Sequence, residues 1–227
     1  MTSILYALKN HFIILLAVSF CLQVKAQQIQ YQQIAAELLK MEKTDQLAAI
    51  NAHPPAAYSH FTQEQWEVFK DSIYRTHQKR VEQIFDQIGF PGFKQVGKEG
   101  EQAFWLMVQH SDHDPFFQKE VLKAMKAEVA GQNADAKHYA YLTDRVMLNT
   151  GGKQVYGTQV RYRRDRCQAY PKPLKDSIQV NRRRAGIGLE PLESYLNIMT
   201  EMHFTMNKEF FSEKGIKKPT YYKVPED

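Results

Sequence analysis

The densest group of chemically capable side chains is the run Trp105-Leu-Met-Val-Gln-His-Ser-Asp-His-Asp-Pro115. His110, Asp112, His113 and Asp114 crowd the point where an apolar helix gives way to a second helix starting at Pro115. His110 and Asp114 stand four apart, a spacing that shares one helix face, and a break at Ser111 still lets both converge with Asp112. One imidazole and two carboxylates, His110, Asp112 and Asp114, suit a divalent metal with open positions. A His–Asp pair equally suits acid/base work, in which the carboxylate fixes the imidazole tautomer. The competing reading is structural. Asp114 directly precedes Pro115, the arrangement of a helix cap followed by a first-turn proline, Asp112 falls in the turn, and His113 faces water.

Two further groups carry polar chemistry. In Tyr141-Leu-Thr-Asp144-Arg145, consecutive helical residues diverge by about 100°, so Asp144 and Arg145 must find different partners, and a buried one needs a counter-group. In Gly152-Lys-Gln-Val-Tyr-Gly-Thr-Gln159, alternation would put Gln154, Tyr156 and Thr158 on one face, with Gly157 allowing close backbone approach. Together with Gln109 and Gln159 these form a candidate set for a small polar ligand. His110, Asp112, Asp144 and Arg145 are the catalytic candidates. The basic residues of 151–188 include Arg182-Arg-Arg184, whose three guanidinium groups fan around a helix and read as a solvated face.

The chain has 227 residues, 43% hydrophobic and 24% charged, a composition that supports a folded core. Lys9 precedes an apolar run from His11 to Leu22, and Val24-Lys25-Ala26 offers a signal-peptidase site. The expectation is a signal peptide over 1–26, an extracytoplasmic location, and no stable membrane anchor after cleavage. Cleavage removes Cys21 and leaves Cys167 alone, so no internal disulfide forms. It also lowers the formal charge from +5 to +3 through loss of Lys9 and Lys25, too mild to point to nucleic acid.

Apolar spacing predicts helices over 27–50, 63–88, 102–109, 115–130, 135–148, 174–184 and 191–211. Thr62-Gln-Glu-Gln65 is a capping-box signature. Gly89, Gly131 and Gly151-Gly152 mark helix ends. The expected fold is mainly α, a single-domain bundle-like array with a short extended or hairpin insert near 153–162. Its parts are an N-terminal helix over 27–58, a helical core over 59–212 and a loose tail over 213–227.

The stretches Trp105–Gln118, Tyr141–Val146, Gly152–Gln159 and Val180–Arg184 with Gly188-Leu-Glu-Pro-Leu192 resemble the bacterial domain of unknown function 6624 family. Lys172 and Lys175 stand where that family is more acidic. The resemblance implies no assigned activity. It implies that the four stretches form one unit: His110, Asp112 and Asp114 as one wall, Asp144 and Arg145 beside them, and Gln154, Tyr156 and Gln159 as a lid. Three readings stay open: a hydrolase with a His/Asp centre, a non-catalytic ligand- or partner-binding module, and a structural packing network.

Overall fold

The structure, a computed structural model, describes residues 2–225, without the side chains of 2–18, 20 and 21. The apolar heart of the expected signal peptide, Phe12 to Val18, lies outside the described side chains. Among the described residues no helix is long and apolar enough to cross a membrane. The fold is mainly α with a two-stranded antiparallel hairpin, as expected. The chain divides into two compact units, residues 1–107 and 108–227.

The first unit is built on an antiparallel helical hairpin. Helix α1 (Thr2–Ile50) returns as α2 (Gln63–Ile88), followed by α3 (Phe93–Gln109). Pairings fall in opposite order along the two helices: Glu37 with Arg80, Asp45 with His77, and the Asn51 carbonyl with the Trp66 indole. Apolar residues at helical spacing, Ile34 and Leu38 on α1 and Trp66, Ile73, Val81 and Ile84 on α2, fill the seam. The return turn is held by a Tyr58, Phe61, Trp66 and Phe69 ring cluster with centroids 5.2–5.8 Å apart. Helix α2 starts on the expected capping box. The Thr62 hydroxyl accepts from the Gln65 amide, and the Gln65 side chain accepts from the Thr62 amide. Helix α3 runs on through Gly97, whose φ of 74° kinks it.

The second unit opens with α4 (Pro115–Ala130) and α5 (Ala136–Asn149), each started by an aspartate. Asp114 accepts from the Phe117 amide, with Pro115 in the first turn. Asp135 accepts from the Lys137 and His138 amides. Strands β1 (Val160–Arg163) and β2 (Gln168–Pro171) pair antiparallel, with Val160 opposite Pro171 and Arg163 opposite Gln168. The strands therefore begin where the expected insert ends, and 152–159 is a loop. Helices α6 (Val180–Ala185), α7 (Leu192–Met206) and α8 (Lys208–Glu213) complete the unit. Ala169, Val180, Leu192, Tyr195 and Leu196 form its core, with Tyr141, Leu174 and Tyr222 packed against them.

Three expectations shift, each for a local reason. The helix expected from 174 starts only at Val180. Asp176 bonds the Ile178 and Gln179 amides, and the Lys175 amide bonds the Gln154 carbonyl, so this stretch is spent on a turn. The helix expected to run to 211 breaks at Asn207, whose side chain bonds the His203 carbonyl. The stretch from 213 onward is tied down as far as Tyr222. Tyr222 exchanges backbone bonds with the Asn197 side chain and donates its hydroxyl to the Ala169 carbonyl.

The cap assigns Asp114 a measurable role. Asp114→Asn keeps a capping oxygen and should stay within about 0.5 kcal/mol of the native chain in urea denaturation, whereas Asp114→Ala should lose about 1 kcal/mol.

Candidate functional site

The second unit is organised around Asp144, on the inward face of α5 and fully buried. Its Oδ1 accepts from the Val155 amide at 2.6 Å and the Tyr156 amide at 2.9 Å. Its Oδ2 accepts from the Thr158 amide at 2.8 Å and the Thr158 hydroxyl at 2.9 Å. An ionised carboxylate in a dry interior is tolerable only when its lone pairs are met. Here one loop meets them with four donors. The loop must curl to present three amides to one point, and Gly157, at φ 77°, makes that possible. A Cβ there would lie 2.9 Å from Leu192 Cδ1 and 3.2 Å from Leu174 Cδ2.

The carbonyls of the same loop are held from the other side. Arg183 donates through Nε to the Val155 carbonyl at 2.7 Å. Arg184 donates to the Tyr156 carbonyl at 2.7 Å and, through Nε, to the Glu190 carbonyl at 2.6 Å. The Tyr195 hydroxyl donates to the Thr158 carbonyl at 2.7 Å. Arg184 is 1% exposed and lies over the Tyr195 ring at 5.0 Å. Burial pushes the Arg184 guanidinium down and the Tyr195 hydroxyl well up from their ordinary values, so Tyr195 stays a neutral donor. The reading of Arg182 to Arg184 as a solvated face is therefore corrected. The fan sends Arg182 to water, Arg183 to the loop surface and Arg184 into the core.

Gln154 closes the loop on itself. Its side-chain oxygen accepts from the Gln159 amide at 2.8 Å, and its Nε2 donates to the Gln159 and Lys172 carbonyls at 2.9 and 2.7 Å. Gln154 and Thr158 thus point inward as framework, while Tyr156 is half-buried. Burial raises the Tyr156 phenol, with Tyr139 and Asp144 adding to the effect.

Arg145, next to Asp144, turns the other way, as the 100° step requires. Its Nη1 donates to Asp112 Oδ2 at 2.6 Å. Asp112 Oδ1 accepts from Asn149 at 2.8 Å and from Gln118 at 3.2 Å. Gln118, fully buried, also donates to the Val108 and Gln109 carbonyls and accepts from Asn149 at 3.1 Å. Burial alone would raise the Asp112 carboxyl. Arg145, Asn149 and Gln118 outweigh it and hold the group below its ordinary value. Asn149 and Gln118 are polar site members that sequence reasoning missed. Gln118 stood in the quoted Trp105–Gln118 run, at a helix position flanked by apolar Phe117 and Val121, and that placement was the available signal.

His110 is partly buried at the end of α3, and His113 is exposed. Two donors in this corner find no acceptor among the described residues: Gln109 Nε2, on a side chain from a residue 4% exposed, and Arg145 Nε. Among the described residues no group of three or more His, Cys, Asp or Glu side chains is arranged to hold a metal ion. The structure thus joins Asp112 to Arg145 and Asp144 to the 154–159 loop, as two separate networks reached from different faces of α5. A family model described as a family of unknown function (DUF6624) matches residues 30–207. No curated protein and no solved structure matches the chain.

These two networks differ in what they cost to break. Asp144→Asn puts an amide N–H₂ against loop N–H donors and should lose at least about 3 kcal/mol in urea denaturation. Arg145→Met acts on a half-exposed pair and should cost far less. Because the Asp112 carboxyl is lowered on folding, its contribution is present above the ordinary value of 3.8 and fades as pH falls through the folded value. Asp112→Asn should flatten that acid limb of the stability–pH curve.

Proposed function

This chain belongs to the family of unknown function DUF6624, and on that footing we propose that it is an extracytoplasmic, non-catalytic binding module for a small polar ligand rich in acceptor oxygens. The observation that carries this reading is the pair of buried donors, Gln109 Nε2 and Arg145 Nε, left without acceptors among the described residues. Leaving a buried donor unmet costs about 1–3 kcal/mol, and a fold that retains two of them fits a site completed by ligand oxygens. A hydrolase centred on His110 and Asp144 is the weaker reading. All the hydrogen-bonding contacts of Asp144 described above go to the 155–158 loop, which leaves it committed as framework rather than poised to move a proton.

Thermal melts against a panel of amino acids and dicarboxylates test the reading. A ligand at about 100 times its Kd should stabilise the native chain by about 2.7 kcal/mol. Gln109→Leu, of similar volume and without a donor, should leave the unliganded melt unchanged or raise it while removing that ligand shift. A Gln109→Leu protein that melts lower, with the ligand shift intact, would refute the assignment, and turnover of any panel compound would refute the non-catalytic reading.

A further inference from the structure

The helical hairpin of the first unit carries two polar residues at positions its pattern reserves for apolar ones. Along α1, Ile34, Leu38, Met41, Asp45 and Ala48 recur at steps of three and four. Along α2, Ile73, His77, Val81 and Ile84 do the same. Asp45 is fully buried and His77 is 8% exposed. They face each other across the seam, with His77 Nδ1 3.6 Å from Asp45 Oδ2, and that nitrogen has no hydrogen-bond partner among the described residues. An aspartate and a histidine replacing a hydrophobic layer weaken the seam unless they serve something else.

What lies beside them is a groove of about 430 Å³ between α1 and α2. Glu37, Lys40, Met41 and Thr44 line it from one helix, and Thr76, His77 and Arg80 from the other. His77 lines the groove while its Nδ1 lies against Asp45. The charges sort themselves by geometry. Arg80 is held by Glu37 through two bonds of 2.7 Å, which hold the Glu37 carboxyl below its ordinary value. Asp45 is opposed to His77. Lys40 has no salt-bridge partner among the described residues, and it lines the groove together with Thr44 and Thr76. A lysine without an ion-pair partner, two threonines and a histidine beside Met41 suit an oxyanion on a small organic body.

We propose that the α1–α2 groove binds a small ligand through a carboxylate or phosphate group, with Lys40 as its counter-charge and His77, positioned by Asp45, as the wall it contacts. This site lies wholly within the hairpin and does not depend on the corner of the second unit.

Acetate and sulfate, titrated separately at constant pH into the full chain, provide the test. The readout is the ¹H–¹⁵N signals of the imidazole rings, with the His77 signal identified by its disappearance in His77→Gln. Either anion should shift the His77 ring signal saturably. A response to acetate alone marks a carboxylate ligand, and a response to sulfate alone marks a phosphate-like one. Lys40→Gln, an exposed change that leaves the seam intact, should weaken the affinity by about tenfold, and Gln109→Leu should not alter it. The Lys40→Gln comparison, by calorimetry, stands even if His77→Gln does not fold. The proposal is overturned if neither anion moves a histidine ring signal, or if Lys40→Gln binds as tightly as the native chain.

Discussion

The second unit depends on satisfying one buried carboxylate with the donors of a loop. Removing Asp144 from water would cost several kcal/mol after relaxation. The charge is met by three backbone amides and a hydroxyl of a single short loop, all at 2.6–2.9 Å. Backbone dipoles of this kind form a concavity for an anion, and here the anion is built into the protein. The energetic linkage runs both ways. Asp144 is tolerable only if residues 155–158 curl around it, and the curl holds together only if something occupies its centre. Gly157 follows from the same constraint, because the turn needs a positive φ, and a Cβ there would also press on the Leu174 and Leu192 side chains.

Turning amides inward forces carbonyls outward, and those too need partners. That demand explains α6. The helix is six residues long, too short to be stable by propensity alone, yet it presents Arg183 and Arg184 to the Val155 and Tyr156 carbonyls. The Arg184 guanidinium is further satisfied by the Glu190 carbonyl and the face of Tyr195, whose hydroxyl holds the Thr158 carbonyl. Most polar residues that look chemical in this half of the chain are thereby consumed in holding a loop. Their burial and their exhausted hydrogen-bonding capacity separate them from the corner around Asp112, where donors are left over.

Local signals in the sequence were legible where a single turn of chain decides the outcome. The Thr62 capping box, Asp114 ahead of Pro115, and the divergence of Asp144 from Arg145 are all short-range geometry. What was not legible was the identity of long-range partners. The 100° fan of Arg182 to Arg184 was read correctly as geometry, but three directions around a helix mean three environments, and one of them was the core. The spacing Gln154, Tyr156, Thr158 looked like a strand face, but the loop's shape is dictated from Asp144, about ten residues upstream, through bonds no alternation pattern encodes. Asp45 and His77 broke a regular apolar repeat and were readable in principle, since a polar residue at a seam position is informative on each helix alone.

The same distinction bears on how the Asp112 corner holds its unmet donors. Asp112 is fixed by Arg145, Asn149 and Gln118, and Gln118 is fixed in turn by the Val108 and Gln109 carbonyls. Arg145 cannot swing its Nε toward solvent without giving up the 2.6 Å bond to Asp112. Gln109, 4% exposed, has little room to turn its amide outward. A looser corner would relax and satisfy both donors with water, whereas a corner locked by three side chains around one carboxylate holds them where they are. Preorganised donors lose less on meeting an acceptor than mobile ones do. The rigidity supplied by the Asp112 network is thus what the proposed ligand reading of this corner depends on.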